Sequence, residues 1–119
     1  MKVHTEKLEA LTIIAVEGDL LNDLATISNV IEKAEEGHGN IILDLSLTLS
    51  IAESELNYLE EIQEILDLSE KSFVFCGVNS DLQTAFDEKF EEEFFNIVPT
   101  RNEAVDMVYM EEQERSLLN

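Results

Sequence analysis

The sequence predicts an α/β domain, with a mostly parallel central sheet, an antiparallel strand at its N-terminal edge and about four helices. Three observations carry this expectation. Ile41-Ile42-Leu43-Asp44-Leu45 and Ser72-Phe73-Val74-Phe75-Cys76-Gly77-Val78 are nearly continuous apolar runs, as strands covered on both faces require. Between such runs, apolar residues recur at three and four positions, the period of a helix with one buried side. Helix starts carry a serine or threonine followed three residues later by glutamate or glutamine. Strands that alternate with helices imply parallel pairing through right-handed crossovers.

In chain order, residues 2–8 and 11–17 read as a strand pair joined by the tight connection Glu9-Ala10. Leu11-Thr12-Ile13-Ile14-Ala15-Val16 is the stronger strand and ends at Gly18, while Val3 marks a weaker edge strand. Leu24, Ile27, Ile31 and Ala34 then form a helical stripe, capped by Asn22 and ended by Gly37-His38-Gly39. After the strand at 41–45, a second helix carries Leu56, Leu59, Ile62 and Leu66 on its buried side. Following the strand at 72–78, a third helix opens at Asn79-Ser80 and carries Leu82, Phe86, Phe90 and Phe94. A short strand from Phe95 to Val98 leads to the single proline, Pro99. The last helix begins near Arg101 with Ala104, Val105 and Val108 inward. Ser50 with Glu53, Ser80 with Gln83 and Thr100 with Glu103 each fit a capping box. Residues 1–110 read as one domain, and 111–119 as a polar extension of the last helix or a disordered tail.

Composition narrows the function. With 45% hydrophobic residues in 119, the chain is too apolar for disorder and long enough to bury a core. No apolar run approaches the roughly 18 residues of a membrane span. The N-terminus lacks a hydrophobic signal region, and the one cysteine, Cys76, has no internal disulfide partner, so the expected location is cytoplasmic. The chain carries 27 acidic against 7 basic residues, a net charge of -20. Such a surface is repelled by phosphate backbones and anionic lipids, which argues against nucleic-acid and peripheral membrane binding. It attracts a partner with a basic patch. Solubility, or a salty cytoplasm, accounts for the charge equally well.

Catalytic signatures are missing. The four glycines form no phosphate loop, and His4 and His38 are distant in sequence from Cys76 and match no metal-ligand spacing. Cys76, amid a β-rich run, reads as a small core residue. Asp87, Glu88, Glu91, Glu92 and Glu93 lack the loop of a calcium site and read as a solvated helix face. No cofactor is expected. Asp44 is the better functional candidate, because open α/β sheets place sites at strand C-terminal ends. The plainer reading makes it a turn former bonded to its own backbone.

Four stretches, in this order and spacing, resemble the STAS domain, named for sulphate transporters and anti-sigma factor antagonists. They are Ala15-Val16-Glu17-Gly18-Asp19-Leu20, Asn40-Ile41-Ile42-Leu43-Asp44-Leu45-Ser46, Phe75-Cys76-Gly77-Val78-Asn79 and Pro99-Thr100-Arg101-Asn102-Glu103-Ala104. The resemblance covers residues 3–110 and implies a STAS-like fold. It further implies a bacterial, non-enzymatic module of transcription regulation. In that family a strand-end Asp-Leu-Ser precedes an Asp-Ser-Ser-Gly-Leu segment that opens the next helix. The first serine of that segment is phosphorylated by an anti-sigma factor kinase. The unphosphorylated domain binds the anti-sigma factor and frees the sigma factor, a scheme called partner switching.

Here the segment reads Ala52-Glu53-Ser54-Glu55-Leu56, which puts Ala52 at the aspartate, Glu53 at the phosphoacceptor, Ser54 at the second serine and Glu55 at the glycine. Leu47 replaces a common loop glycine. Glu53 supplies a permanent charge of about -1, against about -1.5 to -2 for a phosphate, at a helix start that favours negative charge. It equally suits the third position of the Ser50 capping box. Ser54 is the alternative, shifted acceptor. The resemblance thus implies a protein partner, an anti-sigma factor or kinase-like protein with a basic patch. Its docking surface would be Asp44, Ser46, Ser50, Ala52, Glu53, Ser54, Glu55, Asn57, Glu60 and Glu61. The alternative is a small-molecule-binding STAS-like domain, with a pocket near Asp44 and the helix start, or a subunit of a larger transport or signalling assembly. The oligomeric state is open, a homo-oligomer included.

Overall fold

A five-stranded sheet in the order β1-β2-β3-β4-β5 organises the chain. The computed structural model describes residues 2–18, 28–29, 31–33 and 39–118. Strand β1 (Lys2–Lys7) pairs antiparallel with β2 (Thr12–Glu17), Val3 standing opposite Val16. Strands β3 (Ile41–Asp44), β4 (Phe73–Cys76) and β5 (Asn96–Val98) add in parallel, so the expected mixed sheet with one antiparallel edge is what forms. The central strand is β3, whose four residues are all buried.

Side chains alternate across a strand, and that period explains the unbroken apolar runs. Ile14, Val16, Ile41, Leu43, Phe73 and Phe75 face one layer, built by α1 (Glu53–Leu68) and α2 (Ser80–Lys89). Leu11, Ile13, Ile42, Val74 and Cys76 face the other, where α3 (Arg101–Leu118) supplies Ala104 and Val108. Helical residues 28–29 and 31–33 lie in the crossover between β2 and β3, and Ile31 is buried in the first layer. The expected helix ends at Asn22 and at 37–38 lie outside the described residues, as do Leu24, Ile27 and Ala34. Leu56, Leu59, Ile62 and Leu66 of α1 are buried as their spacing demands.

Two expectations are corrected. Phe90 and Phe94 are not on the third helix, which stops at Lys89 as Phe90 turns to extended backbone (φ -121°, ψ 151°). Their four-residue spacing mimics a helix face, but aromatic packing decides the path. Phe95 sits at the centre, with ring centroids 4.9 Å from Phe75, 5.4 Å from Phe86, 4.8 Å from Phe90 and 4.8 Å from Phe94, all edge to face. The helix starts also differ. Ala52, not Ser50, precedes the first helical turn of α1, and its N–H donates to Glu55 Oε1 at 3.2 Å. Asn79, not Ser80, caps α2, its Oδ1 accepting the Leu82 N–H at 2.9 Å, while Gln83 bonds Asp87. Asparagine is an equal or better cap one residue earlier, so the expected box at Ser80 does not form. At Thr100 half of the expected box forms: the Glu103 N–H donates to Thr100 Oγ1 at 3.2 Å, while the Glu103 carboxylate accepts the Thr100 hydroxyl at 3.0 Å.

Helix α3 continues through residues 111–118 and is pinned there by polar contacts. Buried Asn40, just before β3, donates from Nδ2 to the Ala10 carbonyl (2.8 Å) and to Glu112 Oε1 (2.7 Å). Its Oδ1 accepts the Ser72 N–H at 2.8 Å. Arg115 Nη2 reaches Glu112 Oε1 at 2.9 Å and Ser72 Oγ at 3.0 Å. These bonds, from Asn40 and then Arg115, hold the Glu112 carboxyl below the usual carboxylate range. Asn40→Ala strips a buried N–H of its acceptor and is expected to lower stability by about 2–3 kcal/mol in urea unfolding. Amide exchange should accelerate at the C-terminal turns of α3 first.

Candidate functional site

The loop 45–52 leaves the C-terminal end of the central strand and is fixed from several sides. Asp44, the last residue of β3 and only 7% exposed, sets the first turn. Its Oδ1 accepts the Ser46 N–H at 3.0 Å, the self-bonded turn expected of an aspartate there. Its Oδ2 accepts Arg101 Nε at 3.1 Å and Nη2 at 2.7 Å, joining β3 to the first residue of α3. Burial pushes the Asp44 carboxyl up, but the hydrogen bonds from Ser46 and Arg101, with the guanidinium charge, outweigh it and hold it below its ordinary value.

Further along the loop, Thr48 donates its hydroxyl to the Val16 carbonyl at 2.7 Å. Gly18 N–H donates to Leu47 O and Leu49 N–H to Gly18 O, both at 2.9 Å, so β2 runs on into a bridge with the loop. Asn79 Nδ2 reaches the Thr48 carbonyl at 3.3 Å. Gly77 (φ +69°) closes the floor: a Cβ there would fall 2.7 Å from Ser46 Cβ and 2.9 Å from Ser46 N. Only glycine allows both that conformation and that approach. The loop backbone is thus held, while Leu47 (58% exposed) and Leu49 (72% exposed) point away from the core.

The first turn of α1 divides labour between two glutamates. Glu55 is 1% exposed and satisfies the Ala52 N–H from inside. The Ala52 N–H is thus held by Glu55 and not by Glu53. The Glu53 side chain is 81% exposed and pairs at 3.3 Å with Lys89 Nζ of α2. Ser54 beside it is exposed. Asn57, Glu60 and Glu61 follow Glu53 at four, seven and eight residues, one face of the helix, with Glu60 half-buried and the others exposed. Ser46 and Ser50 are exposed on the loop and Ala52 is half-buried. The fold brings these residues together, with Asp44 and Glu55 underneath as holding groups.

Sequence reasoning missed Arg101, and it took the loop 46–52 as partner surface without singling out Leu47 and Leu49. A cation in the first turn of a helix opposes the helix dipole, and that misfit was the available signal that Arg101 answers a carboxylate elsewhere. The two leucines gave no comparable sign, since a loop leucine is indistinguishable in sequence from one that folds inward.

Chemistry of other kinds finds little support. Cys76 is buried, and burial followed by the Asp44 charge pushes its thiol up to about 11 despite Arg101. Among the described residues no cluster of three or more metal-ligating side chains is poised to hold an ion. Of the acidic run, Asp87 and Glu88 are on α2, whereas 91–93 lie in the turn beyond it, Glu93 with φ +73°. The hollow beside Arg101, lined by His4, Glu6, Ile13 and Ala15, holds about 140 Å³, smaller than a typical ligand pocket. No described helix is long and apolar enough to cross a membrane.

The Asp44–Arg101 pair has a defined pH signature. A carboxyl held low in the folded state stabilises the fold above its unfolded value, and this is lost as pH falls through the folded value. Arg101→Met is expected to cost about 1–2 kcal/mol at pH 7, allowing for the exposure of the guanidinium. The difference from wild type should shrink as Asp44 protonates, followed by carboxyl NMR titration and acid unfolding. Cys76 should react with a thiol reagent about 100-fold more slowly than an unshifted cysteine at equal access, and regain ordinary reactivity on unfolding.

No protein-family model matches the chain, and no curated protein matches it. Solved structures do. A serine-to-glutamate variant of RsbS from Moorella thermoacetica superposes with TM-score 0.77 at 15% identity, over 95% of this chain and 99% of that one. A putative anti-sigma factor antagonist from Thermotoga maritima gives 0.78 at 19% identity, over 90% and 94%. The Bacillus anti-sigma factor antagonist SpoIIAA, in its unphosphorylated form, gives 0.72 at 15% identity, over 91% and 98%. With its mixed five-stranded sheet and helices on both faces, the chain has the STAS fold, the fold of the anti-sigma factor antagonists.

Proposed function

We propose that this protein is a regulatory protein-binding module of the anti-sigma factor antagonist type, acting in the cytoplasm through the loop 46–52 and the exposed face of α1. The observation that carries the reading is the pairing of exposed Leu47 and Leu49 with a backbone held by Asp44, Thr48 and Gly18. A rigid loop that presents two leucines to solvent has the form of an interface centre. The rim around it is acidic, with Glu53, Glu60 and Glu61, and suits a kinase-like anti-sigma factor bearing a basic patch.

Glu53 stands where the family keeps its phosphorylated serine. Because Glu55 takes the capping bond, the Glu53 carboxylate is left on the surface, at a helix start that favours negative charge. In this reading its charge is constant and the usual serine switch is absent, so partner binding does not depend on phosphorylation at this position. Ser54 is the remaining candidate acceptor on the same turn.

Glu53→Lys combined with Glu60→Lys is expected to weaken binding to the co-purifying partner by at least about 10-fold, with circular dichroism unchanged. Leu49→Asp should do the same without altering net charge on α1. Affinity unmoved by both would remove the proposed surface. Incubation with the cognate kinase and mass spectrometry then tests Ser54, an unmodified chain excluding it as an acceptor.

A further inference from the structure

The edge of the sheet at β5 carries a second recognition feature, away from the loop 46–52 and the first turns of α1. A cleft of about 530 Å³ runs between α2, the 90–95 turn, β5 and α3. Phe86, Phe90, Phe95, Ile97 and Met107 form its apolar floor. Asp87, Glu91, Glu92 and Glu93 rim it, all exposed, and no basic residue lines it. Across the same turn a second cleft of about 320 Å³ shares Glu93 and Asn96 and adds Glu64 and Asp67. Gln63 also lines it, with a buried Oε1 acceptor that has no hydrogen-bond partner among the described residues.

We propose that this pair of clefts takes an extended basic segment of a partner protein, laid along β5. The chemistry is selective on three counts. Four carboxylates on one rim, with no cation among them, repel acidic chains and attract lysine or arginine. The phenylalanine floor accepts an apolar side chain, and its ring faces favour a neighbouring cation. Strand β5 lies at the sheet edge, where main-chain N–H and C=O groups are unpaired by the sheet and can accept an added strand. Successive side chains of such a strand point to opposite sides, so an apolar residue can enter the floor while the long lysines beside it, turned outward, reach back to the rim carboxylates. Because the two clefts meet at Asn96, the occupant is a chain that passes along the edge. A compact organic cation would fill one cleft only.

The test uses the whole protein, isotopically labelled, titrated with an acetylated, amidated pentapeptide of lysine alternating with valine and phenylalanine. Its counterpart carries glutamate in place of lysine. Saturable shifts centred on the amides of Asn96, Ile97 and Val98 and on the Phe90 ring are expected with the basic peptide alone. Glu91→Lys with Glu92→Lys should weaken that binding at least about 10-fold, and these exposed positions leave the rest of the spectrum in place. Shifts that are absent at millimolar peptide, or that centre on residues 46–56, overturn the proposal. So does equal binding of the acidic peptide, unchanged affinity in the double variant, or argininamide alone reproducing the same shifts with the same affinity.

Discussion

One buried carboxylate sets the conditions for the rest of the molecule. Asp44 ends the central strand almost out of water, where an unpaired charge would be costly. Ser46 and Arg101 answer it, and in doing so they determine the direction of the loop and the position at which α3 begins. The same strand is preceded by Asn40, also buried, whose amide engages Glu112 at the far end of α3. Helix α3 covers its face of the sheet through an apolar contact of Ala104 and Val108, and is held near both ends by polar residues that bracket β3. Apolar burial supplies the attraction, and these directional bonds select one placement of the helix.

The division between Glu53 and Glu55 follows from similar reasoning. Two glutamates lie in the first helical turn, one buried and one exposed. The buried Glu55 takes the Ala52 N–H, because burial leaves it no water to bond. Its neighbour is released to the surface, where a negative charge is stabilised by the helix start and by Lys89. A helix cap and a surface charge are thus separate functions of two glutamates in one helical turn.

Much of the fold was readable from the residues because local rules and burial agree. The runs at 41–45 and 72–78 are buried on both faces, so neither periodicity nor propensity had a competing reading. The stripe of α1 was equally plain. The errors lie where two local rules tie. Asn79 and Ser80 both suit a cap and the asparagine takes it, whereas α1 starts after Ala52 because the buried Glu55 supplies the bond there. Phe86, Phe90 and Phe94 keep a helical spacing past the end of the helix, because their destination is Phe95 rather than a common helix face.

By itself, then, the sequence determined the strand and helix order, the parallel sheet and the acidic surface, since hydrophobic period and charge are properties of short stretches. It also marked the strand-end loop as the place of interest. Only the tertiary structure decided that Arg101 completes Asp44 across 57 positions, that Gly77 must be bare to admit Ser46, and that Leu47 and Leu49 face solvent. Those are contacts between distant segments, and a side chain's exposure depends on what the rest of the chain places beside it.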